Sequence, residues 1–258
     1  MKARYVQPLL VAVSLGYLRH LRNAGITPDV VVGHSLGEIT ALAASGVVSD
    51  REAVAIAAKR GELMDAAAQQ CDGTMMAVLF ISLDKVEQIL AEMDAPDKIV
   101  LANDNAPDQI VVSGDNNLLD QFAHWISHEK LGKCRKLVVS GPWHSPFIRG
   151  ARMQFEDWAE PITFRKPGVP LVMNATAKPE AHPTTIKHLV TWQLTAPVFW
   201  RECMETIKTM NADTLLEVGP GRVLSGLARV NGLKKDVSVF NVNNMRGVEQ
   251  AVGALTSA

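Results

Sequence analysis

Apolar positions along the chain fall first into a helical rhythm and then into a short strand. Leu9, Leu10, Val13, Leu18 and Leu21 recur near helical spacing, with Gly25 just beyond, and predict an amphipathic helix over residues 6–23. Residues 29–32 predict a strand on which that helix packs. Ala41 to Ala44 continue a further helix as far as Gly46, and Asp50 opens another that carries Ala53, Ile56, Ala57, Arg60, Leu63 and Met64. The small side chains in this stretch predict close packing.

From Gly73 the texture changes. The pattern predicts strand 74–81, helix 83–93, strands 98–102 and 109–113, helix 116–129 and strand 133–139, the β-α-β-β-α-β order of a ferredoxin-like unit. The turn-forming run from Asn103 to Asp108 joins two neighbouring strands, and Gly114-Asp115-Asn116 caps a helix start. Longer elements resume beyond Gly141: a helix near 147–159, a strand at 170–174, helices at 185–193 and 200–211, a strand at 213–218 and a closing helix from Val248. The expected fold class is therefore α/β, one domain of residues 1–72 and 141–258 interrupted by a small α+β insert of residues 73–140. Repeats and low-complexity segments are absent.

Composition narrows the function classes without choosing one. Among 258 residues, 26 Lys and Arg balance 27 Asp and Glu, so no basic stripe is available for nucleic acid or an anionic membrane. Cys71, Cys134 and Cys203 lie far apart and form no Cys-x-x-Cys unit, which predicts reduced thiols with neither disulfide nor metal roles. No apolar run reaches the roughly 20 residues that cross a bilayer, and the amino terminus lacks the features of a signal peptide. A soluble cytoplasmic protein is expected.

The candidate chemistry begins at Val30-Val31-Val32-Gly33-His34-Ser35-Leu36-Gly37-Glu38. A β-branched run that delivers a serine on a Gly-x-Ser-x-Gly turn just before a helix is a nucleophile elbow, in which the serine Oγ is exposed and the helix amino terminus offers N–H groups to an oxyanion. A serine at its ordinary pKa is a weak nucleophile and needs a base. Of the seven histidines, His20, His124, His128, His182 and His188 sit in polar helical or loop surroundings. His34 lies inside the elbow, where it supports the turn. His144 remains, after a Gly-Pro turn, as a base or as an ordinary loop histidine. On their own, Arg60 reads as a surface arginine and Gln193 as an exposed helix-end glutamine.

Gly33-His34-Ser35-Leu36-Gly37-Glu38, Lys59-Arg60-Gly61-Glu62-Leu63-Met64, Asn105-Ala106-Pro107-Asp108-Gln109-Ile110-Val111-Val112-Ser113-Gly114, Gly141-Pro142-Trp143-His144-Ser145, Gln193-Leu194-Thr195-Ala196-Pro197-Val198-Phe199-Trp200 and Glu217-Val218-Gly219-Pro220-Gly221 occur in this order. In that order, over essentially the whole chain, they resemble the malonyl-CoA:acyl carrier protein transacylases and, more distantly, the acyltransferase domains of polyketide synthases. The resemblance implies an α/β-hydrolase-like core with a parallel sheet and a ferredoxin-like insert. It implies transfer of malonyl from coenzyme A to the phosphopantetheine thiol of acyl carrier protein through an acyl-serine, in fatty acid or polyketide synthesis. Coenzyme A and phosphopantetheine then enter as substrate carriers, with no cofactor and no metal. Malonyl-CoA and acyl carrier protein are the implied partners, with neither nucleic acid nor membrane among them.

By the same resemblance Ser35 is the nucleophile and His144 the general base. The Gln193 backbone carbonyl fixes the histidine tautomer, Arg60 grips the malonyl carboxylate, and the Leu36 N–H is one oxyanion donor. Leucine at 36 and an aromatic at 143 go with malonyl over methylmalonyl; Trp143 either crowds the acyl pocket or packs the subdomain junction. Glu38 and the turn at Glu217 are expected to be structural. The family's second oxyanion donor comes from a Gly-Gln-Gly-Ser-Gln loop ahead of the elbow, which residues 1–32 do not contain; a truncated, fragmentary or complemented chain is the expectation there. Two other function classes stay open: a serine esterase or thioesterase, which needs an Asp or Glu beside His144, and a non-catalytic module that binds carrier protein.

Overall fold

The computed structural model describes residues 2–233 and 237–256. The first helix, α1, spans Ala3–Asn23 and buries Leu18 and Leu21 as expected, but its N-terminal half turns a different face inward than Leu9 and Val13 suggest. Gln7, Val11, Ser14, Leu15, Leu18 and Leu21 are buried, whereas Leu9 and Val13 are exposed. The inward stripe keeps helical spacing but includes two polar side chains, so a count of apolar residues misplaces the face over the first half of the helix. Its partner is α3 (Asp50–Ala68), opened by a reciprocal capping box between Ser49 and Glu52. Asp65 of α3 accepts the Ala3 and Arg4 N–H groups at 2.9 and 3.0 Å, satisfying orphan donors at the start of α1.

Strand β1 (Val31–Val32) leads directly into α2 (Leu36–Ala44). Strands pair in parallel between β1 and β6 (Leu171–Val172) and between β8 (Thr214–Val218) and β9 (Ser238–Val242), and an isolated parallel bridge joins Asn103 to Val198. β6 also pairs antiparallel with β7 (Pro179–Glu180).

Between α3 and Gly141 come β2 (Gly73–Leu79), α4 (Leu83–Glu92), β3 (Ile99–Ala106), β4 (Gln109–Asp115), α5 (Asn116–His128) and β5 (Lys133–Lys136). Their sheet is antiparallel in the order β3-β4-β2-β5, the arrangement of a ferredoxin-like unit. Val78, Ile89, Ile110, Phe122 and Ile126 belong to a core cluster of its own. β3 runs further than its sequence suggests, because Asn103, Asp104 and Asn105 are strand residues and the turn shrinks to Pro107 and Asp108. All three are buried and polar. Asp104 N–H donates to Val198 O at 3.0 Å and its Oδ2 accepts from Arg201 Nε at 2.8 Å, partners from outside the sheet, while Oδ1 has none among the described residues; these polar positions leave no hydrophobic alternation to read.

After Gly141 the chain forms a single 3-10 turn at Pro146–Ile148, then α6 (Arg149–Ala159), β6, β7, α7 (Pro183–Trp192), α8 (Trp200–Thr209), β8, α9 (Val223–Val230), β9 and α10 (Met245–Thr256). β7, α9 and β9 have no counterpart in the hydrophobic pattern. Glu217 accounts for α9: its carboxylate accepts the Leu224 and Ser225 N–H groups at 3.0 and 2.8 Å, capping the helix from the end of β8. Among the described residues no helix is long and apolar enough to cross a membrane.

Candidate active site

β1 ends by throwing Ser35 onto a backbone that a side chain rarely adopts, φ +48° and ψ −104°. The two glycines of the motif contribute unequally to this turn. A Cβ at Gly33 would lie 2.1 Å from the backbone carbonyl of Gly37, so the strand can approach the helix only without a side chain there, whereas a Cβ at Gly37 meets nothing within 4 Å. Gly33→Ala is therefore expected to destabilise the fold by about 1–3 kcal/mol, while Gly37→Ala leaves stability unchanged or slightly raised; paired thermal melts check this.

Asn174, at the exit of β6 and fully buried, clamps the elbow from below. Its Oδ1 accepts the Ser35 N–H at 2.7 Å, its Nδ2 donates to Gly33 O at 2.7 Å, and its own N–H donates to Glu38 Oε1 at 2.6 Å. His34 points away from the reacting oxygen. Its Nε2 meets Asn105 Oδ1 at 2.7 Å and its ring packs edge-on to Trp200, the supporting position expected of it.

His144 comes back over the elbow, its own backbone at φ +58°. Nε2 lies 2.8 Å from Ser35 Oγ, and Nδ1 lies 2.8 Å from Gln193 O and 3.1 Å from Ala196 O. Two carbonyls can only accept, so Nδ1 carries the proton and Nε2 is left as the acceptor facing the serine. Burial, and after it the positive charge of Arg60, pushes the His144 pKa down to about 3, so the imidazole is neutral at physiological pH. The third member of the constellation is a carbonyl pair. A serine esterase would need a carboxylate at that place.

Arg60 on α3 is not a surface residue: it is 1 % exposed. Nη2 donates to Ser35 Oγ at 3.1 Å and to Gln193 Oε1 at 3.0 Å, and Nη1 donates to Gln7 Oε1 at 2.9 Å. Burial pulls its pKa down to about 10, with Glu38 pulling the other way, and the guanidinium stays charged at neutral pH. Gln193 is also buried rather than exposed. Beyond its carbonyl, its Nε2 donates to Glu38 Oε2 at 2.6 Å and to Ser35 O at 3.0 Å. Burial raises the Glu38 pKa to about 8 against the pull of the Asn174 N–H, of Arg60 and of the Gln193 amide.

Thus Ser35, Leu36, Arg60, His144 and Gln193 are brought to one place. The Leu36 N–H, at the first position of α2, has no hydrogen-bond partner among the described residues. Trp143 is buried with the main core, and the edge of its ring lies against Gly141, within 3 Å of where a Cβ on that residue would stand. Gln7, Asn174 and the full reach of Glu38 were not evident in the sequence. The available signals were polar residues out of place, Gln7 inside an otherwise apolar helical stripe and Asn174 at the end of a short apolar strand.

Residues 1–251 match the model of the acyl transferase domain family. The malonyl CoA-acyl carrier protein transacylase of Staphylococcus aureus (strain MRSA252) is 36% identical over 246 residues, 94% of this chain and 78% of that protein. A solved structure of the Coxiella burnetii transacylase superposes with a TM-score of 0.93 at 26% identity, covering 99% of this chain and 80% of its own. A structure of a type II polyketide synthase acyl carrier protein in complex with its malonyl-transacylase gives a TM-score of 0.92 at 29% identity, over 98% of this chain and 82% of that one.

Proposed function

The chain belongs to the malonyl-CoA:acyl carrier protein transacylases, and from that membership we propose how its residues move the malonyl group. The activity is acyl transfer between two thioesters, with malonyl-CoA as donor and acyl carrier protein as acceptor. Ser35 Oγ attacks the thioester carbonyl while His144 Nε2 takes its proton. The carbonyl oxygen becomes an oxyanion opposite the Leu36 N–H, the donor that follows the nucleophile in elbow enzymes. Collapse expels the coenzyme A sulfur, which receives the proton back from His144 and leaves malonyl-Ser35. In the second half His144 deprotonates the phosphopantetheine thiol, whose sulfur attacks the acyl-serine, and the proton returns to Ser35 Oγ.

The observation that carries this reading is the 2.8 Å contact between Ser35 Oγ and a histidine nitrogen whose opposite nitrogen is committed to two carbonyls. Arg60 supplies selectivity, since a planar fork with permanent charge binds a carboxylate bidentately and gains nothing from acetyl. To do so it exchanges its contact to Ser35 Oγ for the ligand's carboxylate, which frees a lone pair on the nucleophile. Trp143 is proposed to hold the junction beside His144 rather than to read the acyl chain.

Residues 1–72 and 141–258 are proposed as the catalytic core and 73–140 as an insert, a division supported by the separate core cluster of the ferredoxin-like unit. Each chemical step is assigned to a side chain or backbone group of this chain, and the reaction is proposed to run without cofactor or metal; the cytoplasm is proposed as its compartment. Brief mixing of the protein with radiolabelled malonyl-CoA is expected to place one label on the peptide containing Ser35, and acyl carrier protein is expected to remove it. A folded protein that never acquires the label overturns the proposal.

A further inference from the structure

The partners of Arg60 are all neutral. Among the described residues it forms no ion pair: Nη1 and Nη2 donate to two glutamine oxygens and a serine hydroxyl, and Nε has no partner at all. Glu38 makes no contact with it: its field acts from a distance, and the hydrogen-bonded link between them runs through the Gln193 amide. A buried guanidinium is costly without compensation and is ordinarily matched by a carboxylate. Here it is held in contact by dipoles alone, which fix its direction and leave its hydrogen-bonding fork without a carboxylate partner.

Two of those three partners have other work, for Ser35 is the nucleophile and Gln193 secures both His144 and the elbow. Gln7 differs. It is buried on the inward face of α1, its Oε1 accepts from Arg60 Nη1 at 2.9 Å, and its Nε2 lies 3.2 Å from Met64 Sδ, a weak acceptor. The two neighbours settle which way round the amide sits, because a guanidinium can only donate.

Resting on the malonyl-transfer reading above, we infer that Gln7 is a specificity-determining positioning residue, which aims Arg60 at the acyl pocket while leaving its charge free for a dicarboxylic acyl group. Position 7 must then avoid a carboxylate. A glutamate there would have nearly the same size and would bond Arg60 more strongly, yet it would already occupy the arginine with a carboxylate. Malonyl would then meet a neutralised pair, whereas acetyl, which has no use for the charge, would be unaffected.

The test compares kcat/KM for malonyl-CoA and acetyl-CoA in the full chain and in Gln7→Glu and Gln7→Met, with folding checked by thermal melts. In Gln7→Glu the malonyl-to-acetyl ratio is expected to fall by about ten-fold or more, the scale of one charge-assisted hydrogen bond, chiefly through a higher KM for malonyl-CoA. Gln7→Met keeps the volume but cannot orient the guanidinium, and is expected to lower the ratio in the same direction by a smaller factor. A ratio unchanged within two-fold in both variants, or equal losses for both substrates, overturns the inference and makes Gln7 a packing residue. If Gln7→Glu does not fold, Gln7→Met decides. Failure of the unsubstituted chain to form malonyl-Ser35 overturns the parent reading, a result distinct from an unshifted ratio in an active enzyme.

Discussion

His144→Ala is expected to leave Ser35 almost unacylated by malonyl-CoA and to lower turnover by about five orders of magnitude or more, the loss seen when a base is removed from a serine–histidine unit. The size follows from how few groups share the proton. Nε2 is the acceptor 2.8 Å from Ser35 Oγ, and the only other histidine of the elbow, His34, has its Nε2 on Asn105. The tautomer is fixed by carbonyls of Gln193 and Ala196 rather than by a carboxylate. The imidazolium formed during attack is thus stabilised by partial charges alone, and no second base stands behind it. Quenched-flow labelling with intact-mass detection measures the acylation rate directly. Retention of more than a hundredth of that rate would place the base elsewhere.

Arg60→Ala is expected to reduce kcat/KM for malonyl-CoA by roughly a hundred- to a thousand-fold, the range for truncating one side of a buried charge contact, while acetyl-CoA is used at least as well as before. Losing the contact to Ser35 Oγ helps the nucleophile, so the loss is confined to substrates that carry a carboxylate. A pH signature accompanies it. Burial and then Arg60 depress the His144 pKa to about 3, so in the unsubstituted chain this group leaves kcat/KM flat between about pH 5 and 8. Removing the guanidinium removes one depressing cause, the pKa rises toward its ordinary value, and the acid limb measured with acetyl-CoA moves to higher pH. A limb that stays put or moves down contradicts the electrostatic coupling of the two residues. Arg60→Lys is expected to fall between the two forms for malonyl, since a point charge cannot replace the fork that spans Gln7, Gln193 and Ser35.

The sequence carries the fold where burial is expressed as period. The helix over Asp50–Ala68 and the β-α-β-β-α-β order are written in apolar spacing, capping residues and turn residues. It misleads where polar side chains are buried and their partners come from elsewhere in the chain. α1 turns Gln7 and Ser14 inward, β3 carries Asn103 to Asn105 as strand, and α9 depends on a carboxylate from the preceding strand. The site divides in the same way. Ser35 announces itself by the local turn it demands, but Arg60 and Gln193 look like surface residues until resemblance to a family sets them beside it. Asn174 and Gln7 stay silent because their meaning lies in partners 139 and 53 residues away.

The left-handed torsions at Ser35 and His144 place both members of the reacting pair on backbone that would relax if it were released. Robustness and turnover therefore compete for the same two angles. A stabilising change that let either residue settle into an ordinary well would carry Oγ away from Nε2, so attempts to raise the heat tolerance of this enzyme are best directed at helix surfaces and α2 positions such as Gly37, leaving Gly33, Asn174 and the two carbonyls behind His144 as they are.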